Sequence, residues 1–336
     1  MAPFEKLDGR TALHILNRTT FGPRPGDVAR IQAIGLNAYL DEQLHPERGP
    51  GSELVGNAVD AETRLAALTS LGQSSRVFAT EYYDPMIKAR QEFTVAQQLT
   101  PPKVKPAYLR WHLLPVAAMT LPGDKPVAVL GQSAVTPEEL RFQQQNNRIF
   151  DELQSQKILR AVYSEHQLEE ALTDFWFNHF NVDARKIEDR PVMVEYERDA
   201  IRPYVFGKFR DLLGATAKSP AMLFYLDNWM SVDPNGVHPI VTPARIARGP
   251  FGGRVVVPGT VRQPPQGKNA PKGLNENYGR ELLELHTLGV DGGYTQKDVT
   301  EIARAFTGWT IENPRNGGRF VFRPQLHDMG QKVVLG

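Results

Sequence analysis

Leu168, Ala171, Leu172, Phe175, Trp176 and His179 recur at i, i+3, i+4, i+7, i+8 and i+11, one apolar stripe along the side of an α-helix. A stripe that long is unstable facing water and needs a second apolar surface against it. Further runs of the same period supply that surface. Positions three and four apart mark helices over 27–44 (two short pieces divided at Gly35), 59–71, 82–99, 108–119, 192–202, 209–217 and 220–226. Pro137 opens a long polar helix at its first position, where the missing N–H would have no helical partner anyway, and the helix runs on toward Tyr163. Ser164 and Gln167 have the spacing of a capping box for the helix that follows; later, a helix from Asn275 to Leu288 ends at Gly289, and Thr295 and Asp298 cap another with the stripe Val299, Ile302, Ala303 and Phe306. This pattern implies a mainly α protein, a multi-helical orthogonal bundle.

The period changes only near the end. Residues 319–323 alternate, as do 332–335 more weakly, with a turn signal at 328–330, so a small β-hairpin near the C-terminus is expected. Residues 231–274 fit neither period. They hold eight prolines and seven glycines, with six basic residues against Asp233 alone. Only Arg254–Val257 has strand character there, and the segment reads as a basic loop excursion, mobile in part, from one helical domain spanning 1–336. The chain stops at Gly336 directly after an apolar run, which suggests a domain truncated at its C-terminus.

Composition removes several classes. The chain has 336 residues and no cysteine, which excludes disulfides, thiolate metal sites and cysteine nucleophiles. Its 41% apolar content is enough for a buried core. A net charge of +1 argues against a nucleic-acid surface. No apolar run reaches the ~18 residues of a membrane helix, and the first ten residues lack the apolar core of a secretory signal. The expectations are no membrane, no nucleic acid and, as the sequence stands, a cytoplasmic location.

Five motifs carry a family resemblance. Residues 13–23, Leu-His-Ile-Leu-Asn-Arg-Thr-Thr-Phe-Gly-Pro, form the first, and 175–180, Phe-Trp-Phe-Asn-His-Phe, the second. Residues 222–228, Met-Leu-Phe-Tyr-Leu-Asp-Asn, form a third. The most specific is 275–289, Asn-Glu-Asn-Tyr-Gly-Arg-Glu-Leu-Leu-Glu-Leu-His-Thr-Leu-Gly, followed by 303–309, Ala-Arg-Ala-Phe-Thr-Gly-Trp. His327-Asp328, Gly330 and Lys332 belong to the fifth. Together they resemble the bacterial domain of unknown function 1800. The resemblance brings no established activity. It implies more helix beyond the last motif, export in some members, and a partner drawn from a secreted, phosphatase-like family encoded nearby.

The 275–288 helix carries the first candidate chemistry. On a 100° wheel Asn277, Glu281, Glu284 and Leu288 fall within about 60° of one another, while Tyr278, Leu282, Leu285 and His286 lie on a separate apolar stripe. Glu276 and Arg280 are spaced for an ion pair. Glu281 and Glu284 at i, i+3 can share a proton or a cation, and close carboxylates push one pKa up. His179, at the end of its apolar stripe, and the His327-Asp328 turn complete a candidate set. His179, Glu281, Glu284, His327 and Asp328 would make an oxygen- and nitrogen-rich site for a divalent metal, Zn, Mn or Fe. No H-E-x-x-H, Walker, dinucleotide or G-x-S-x-G motif exists.

Two functions follow. One is a hydrolase acting on a small molecule or glycan, with Glu281 and Glu284 as acid and base or as ligands, His179 and His327 as base or ligands, and Asn277 orienting. A divalent metal would generate its nucleophile, or the paired carboxylates would work alone. The other is a non-catalytic helical scaffold or secretion partner, in which the same residues form a buried polar network fixing helix register. On either reading His286 lies in the core, and the candidate residues are expected to converge.

Overall fold

A computed structural model describes residues 7–46, 63–99, 135–184, 191–236, 240–242, 245–248, 254–257, 260–262, 273–313 and 317–336. Within them the chain is mainly α, a multi-helical bundle with a small antiparallel hairpin near its C-terminus. The helix expected over 108–119 lies outside the described residues. Among those described, no helix is long and apolar enough to cross a membrane.

Helices α1 (Gly9–Thr19), α2 (Asp27–Ile34) and α3 (Leu36–Leu44) form an N-terminal group. Asp8 caps α1 by accepting from the N–H groups of Arg10 and Thr11, and Ala12, Leu16, Ile31 and Tyr39 close a small core. The short α4 (Ser75–Phe78) passes through a π turn, Ala79–Tyr83, into α5 (Asp84–Leu99). The long α6 (Pro137–Tyr163) begins as expected, with Pro137 in the first turn and a reciprocal Thr136–Glu139 capping box.

The junction after α6 corrects the sequence reading. Ser164 ends α6 instead of capping the next helix. Gln167 turns its amide backwards and donates to the carbonyls of Arg160, Ala161 and Ser164, at a helix end where Arg160 also accepts from Ser164 N–H and Ser164 from Arg24. Helix α7 (Gln167–His179) therefore starts with no cap from its own N-cap residue, and Gln43 of α3 accepts the Leu168 N–H at 3.1 Å.

Helix α7 is also covered differently from its stripe. Leu172 and Trp176 pack on the principal core, but the fully buried residues of α7 are Gln167, Glu170 and Thr173, and Phe175 is 56% exposed. The helix is enclosed on its polar side as well, so one end of the apolar stripe is left uncovered. The core itself is built on Phe180, Met193, Tyr196, Ile201, Leu212, Met222 and Tyr278. It is enclosed with α8 (Pro191–Glu195), a π turn at Tyr196–Ile201, α9 (Phe209–Lys218) and α10 (Pro220–Tyr225). Each large apolar side chain buried here contributes about 1.5–3 kcal/mol. The Tyr196 hydroxyl donates to the Phe180 carbonyl at 2.6 Å, which satisfies it inside the core.

In the basic excursion Arg254–Val257 is a strand, as read, but it is not alone. Strands β1 (Ile240–Thr242) and β4 (Thr260–Arg262) pair antiparallel, as do β2 (Arg245–Arg248) and β3 (Arg254–Val257).

Helix α11 (Asn277–Glu281) runs into a third π turn, Leu282–Thr287, and packs on α12 (Gln296–Phe306). Gly279 makes that packing possible, since a Cβ there would lie 2.9 Å from the Val299 carbonyl oxygen. Thr295 and Asp298 form the expected capping box of α12. Strand β5 (Trp309–Glu312) then pairs with β6 (Arg319–Phe322), Trp309 opposite Phe322. Gly308, at φ +78°, precedes the hairpin where a Cβ would meet the Arg323 carbonyl at 2.6 Å. The hairpin is thus real, but its second strand is not 332–335. That segment has no strand pairing, because α12 carboxylates take its N–H groups: Val333 donates to Glu301 at 3.1 Å and Leu335 to Asp298 at 2.6 Å.

Candidate functional site

The π turn after Glu281 decides which side chains face where. Leu288 N–H donates to the Leu283 carbonyl and the Thr287 hydroxyl to that of Leu282, both across five residues. One residue is inserted relative to an α-helix, so the 100° wheel slips. Leu283 and His286 are buried with Tyr278, whereas Leu285 is 56% exposed. The placement of Leu285 on the core stripe is corrected accordingly, and the core assignment of His286 holds.

Upstream of the turn, Arg280 and Glu276 pair at 3.6 Å, as their spacing implies. Both are also bonded to the start of α12: Arg280 to Gln296 at 2.8 Å, and Glu276 to Gln296 at 2.7 Å and Thr300 at 3.0 Å. Arg280 is thereby drawn toward α12. Glu281 is half-buried, and its pKa is raised by that burial first and by the charge of Glu284 second, with Arg280 opposing. Among the described residues no hydrogen bond supports its ionised form. Glu284, also half-buried, accepts a 3.4 Å contact from the Tyr294 hydroxyl. Burial and that carboxylate both push the Tyr294 pKa up. Asn277 is exposed one turn before Glu281.

His179 reaches the same turn from α7. Its Nε2 lies 3.1 Å from the carbonyl oxygen of His286. A carbonyl only accepts, so Nε2 carries a proton and donates it. The ring sits among Phe175, Trp176, Phe180 and Phe209, with centroids 4.7–6.4 Å away. His286 is packed against Phe180 and Tyr278. Burial, with a smaller contribution from His179, lowers its pKa to about 4. Its Nδ1 has no hydrogen-bond partner among the described residues.

The His327-Asp328 turn is occupied elsewhere. His327 Nδ1 donates to the Thr307 carbonyl at 2.7 Å, and Asp328 N–H donates to the Thr307 hydroxyl at 2.8 Å. Arg304 clasps the Asp328 carboxylate, Nε at 2.6 Å and Nη2 at 3.1 Å, and holds its pKa below the usual carboxylate value. Lys332 also donates to the Asp328 carbonyl. Among the described residues no three His, Asp or Glu side chains come together as a metal-holding group. The donor set expected for Zn, Mn or Fe is therefore not assembled: Arg304 engages Asp328, Thr307 engages His327, and His179 points its proton at a backbone carbonyl.

A family model described as a protein of unknown function (DUF1800) matches residues 14–336, nearly the whole chain. The chain belongs to the DUF1800 family. The other comparisons gave no matching curated protein and no matching solved structure.

The DUF1800 chain holds a second concentration of charge that the sequence reading missed. Arg202, in the short 3₁₀ turn Arg202–Tyr204 after the Tyr196–Ile201 π turn, meets Glu170 at 2.8 Å, Glu197 at 3.4 Å and Glu169 at 3.5 Å. Arg160 meets Glu170 at 3.2 Å, and Lys157 bridges Glu197 at 3.7 Å and Asp174 at 3.5 Å. The only signal in the sequence was the acid-rich polar side of 167–179, which reads equally well as a solvated face. Tyr294 and Arg304, which sort the predicted carboxylates into two environments, had no signal beyond their types.

Proposed function

We propose that this DUF1800 chain is a hydrolase whose acid and base are Glu281 and Glu284, working without a metal centre. The observation that carries the reading is the state of that pair: two half-buried carboxylates one helical turn apart, one pushed toward its protonated form by burial and by the other. Glu281 gives its proton to the leaving oxygen as the carbon–oxygen bond breaks. Glu284 takes a proton from the water whose oxygen forms the new bond to carbon. The pair ends with its one proton on Glu284, and exchange through solvent returns it to Glu281.

His179 positions the turn through the His286 carbonyl and does not act on the substrate. The exposed faces of Phe175 and Phe209, 56% and 42% accessible, flank His179 and suit the C–H face of a sugar ring, which favours a glycan over other substrates. The test is hydrolysis of a panel of 4-nitrophenyl glycosides by the full chain. The reading expects turnover that survives chelation by EDTA and is lost in Glu281→Gln. Turnover abolished by EDTA, or unchanged in Glu281→Gln, overturns it.

A non-catalytic scaffold is the second reading, and the complete bonding of the His327-Asp328 turn favours it. It expects no turnover on any glycoside.

A further inference from the structure

An open cleft of about 210 Å³ lies where α6, α7 and the Tyr196–Ile201 turn meet the loop after α1. It is smaller than the ~300–1,000 Å³ pockets that take drug-sized ligands. Lys157, Arg160 and Arg202 line it together with Glu170, Asp174 and Glu197, so its ionisable groups balance in charge. Each of the six is already in an ion pair with another of them. A charged ligand that draws Arg160 or Arg202 away from Glu170 or Glu197 leaves a buried carboxylate uncompensated, which is costly.

Among the described residues three polar atoms of the same wall have no hydrogen-bond partner: Thr173 Oγ1, Arg160 Nε, and Glu197 Oε2, which faces the Lys157 ammonium at 3.7 Å, beyond hydrogen-bond reach. Thr173 is 3% exposed and Glu197 4%. Native structures seldom leave such atoms unpaired, and exceptions mark a missing partner. The three ask for different things. Glu197 Oε2 needs a donor, Arg160 Nε–H an acceptor, and the Thr173 hydroxyl takes either. A hydroxyl group supplies both roles and brings no charge. Phe21, Ile158 and Ala161 give the cleft an apolar side, with Phe21 50% and Ile158 65% exposed.

We propose that this cleft binds a small neutral polyhydroxylated molecule of monosaccharide size, its hydroxyls meeting Thr173, Glu197 and Arg160 and its C–H face lying on Phe21 and Ile158. The site is separate from Glu281 and Glu284 and stands on different observations.

Saturation-transfer NMR on the full chain tests it, with glucose, galactose and myo-inositol as probes and glutamate, putrescine and inorganic phosphate as charged comparators. The proposal expects saturable binding of at least one neutral polyol and of no charged comparator. Ala161→Trp, which fills the cleft without touching an ion pair, is expected to abolish it. Thr173→Val removes one hydrogen bond and is expected to weaken it about threefold or more, with no loss of thermal stability, because the hydroxyl has no hydrogen-bond partner among the described residues. Binding is expected to be unchanged in Glu281→Gln. That variant separates failure here from failure of the hydrolase reading. No polyol binding, binding of a charged comparator instead, or polyol binding that survives Ala161→Trp in a folded protein overturns the proposal. The first of these means that the cleft holds water alone.

Discussion

Asp328 and Glu281 are both carboxylates of the C-terminal third, and their surroundings drive them in opposite directions. Asp328 accepts two hydrogen bonds from Arg304 and one from Gly330 N–H, so its ionised form is stabilised and its pKa falls. Glu281 has a carboxylate for a neighbour and its nearest arginine drawn off to Gln296, so its pKa rises. Residue type did not separate them. What separates them is whether a cation from a packed helix arrives with hydrogen-bond geometry. Where it does, the carboxylate fastens the fold; where it does not, burial and the neighbouring charge favour the protonated form.

Substitution at the two places is expected to have crossed effects. Glu281→Gln should lower the rate of glycoside hydrolysis by ~10²–10⁴, with stability at pH 7 unchanged or higher. The sign follows from linkage. A carboxylate whose folded pKa is raised favours the folded state when protonated, and that contribution is lost as pH rises through the folded value. Urea denaturation alongside the rate assay checks both halves. A Glu281→Gln protein that unfolds would place Glu281 with Asp328.

Acid should separate the regions in order. His286 is held at about 4 from an ordinary 6.5, so the unfolded chain binds its proton first. Stability present above pH 6.5 is expected to fall by roughly 2–3 kcal/mol as pH drops toward about 4. The tail contacts fail lower. Asp298, bonded by Thr295 and Leu335, is held at about 2 from 3.8, so its contribution is present above 3.8 and lost as pH falls from there toward about 2. Denaturation midpoints across pH should show the first loss in the parent and not in His286→Phe.

Asp328→Asn should cost on the order of 1–2 kcal/mol, the low end for hydrogen bonds to a charged group because solvent reaches Arg304. Its hydrolysis rate should stay within about threefold of the parent, a change worth less than a single hydrogen bond. Calorimetry and the glycoside assay read the two. The smallest effect belongs to Tyr294→Phe. The 3.4 Å contact to Glu284 is long, and its loss should change the rate by about threefold or less.

The parts of this fold that depend on near neighbours in sequence were legible. The 3.6-residue period located α7 and α12, and Thr295–Asp298 announced its capping box. Gly289, at φ +87°, stands just past the Leu282–Thr287 turn, where the sequence placed the end of its helix. Glu281 and Glu284 were picked out by spacing alone. What spacing hides is a single inserted residue. The π turn at Leu282–Thr287 buries Leu283 and His286 and leaves Leu285 outside, and six residues are too few to show a changed period. Partners distant in sequence were equally hidden. The 332–335 segment alternates like a strand, yet Glu301 and Asp298 claim its N–H groups. The polar side of α7 reads as solvated until Arg160 and Arg202 close over Glu170.

The opposed states of the two carboxylates are open to direct observation by ¹³C-carboxyl NMR titration of the full chain, with Glu281 and Asp328 assigned by their Gln and Asn variants. Glu281 is expected to titrate above its ordinary 4.5 and Asp328 below its ordinary 3.8. In Glu284→Gln the Glu281 midpoint should move down toward 4.5, since the neighbouring charge is gone, while Asp328 stays where it was. A Glu281 midpoint at or below 4.5, unmoved by Glu284→Gln, would contradict the shared-proton pair on which the proposed chemistry rests.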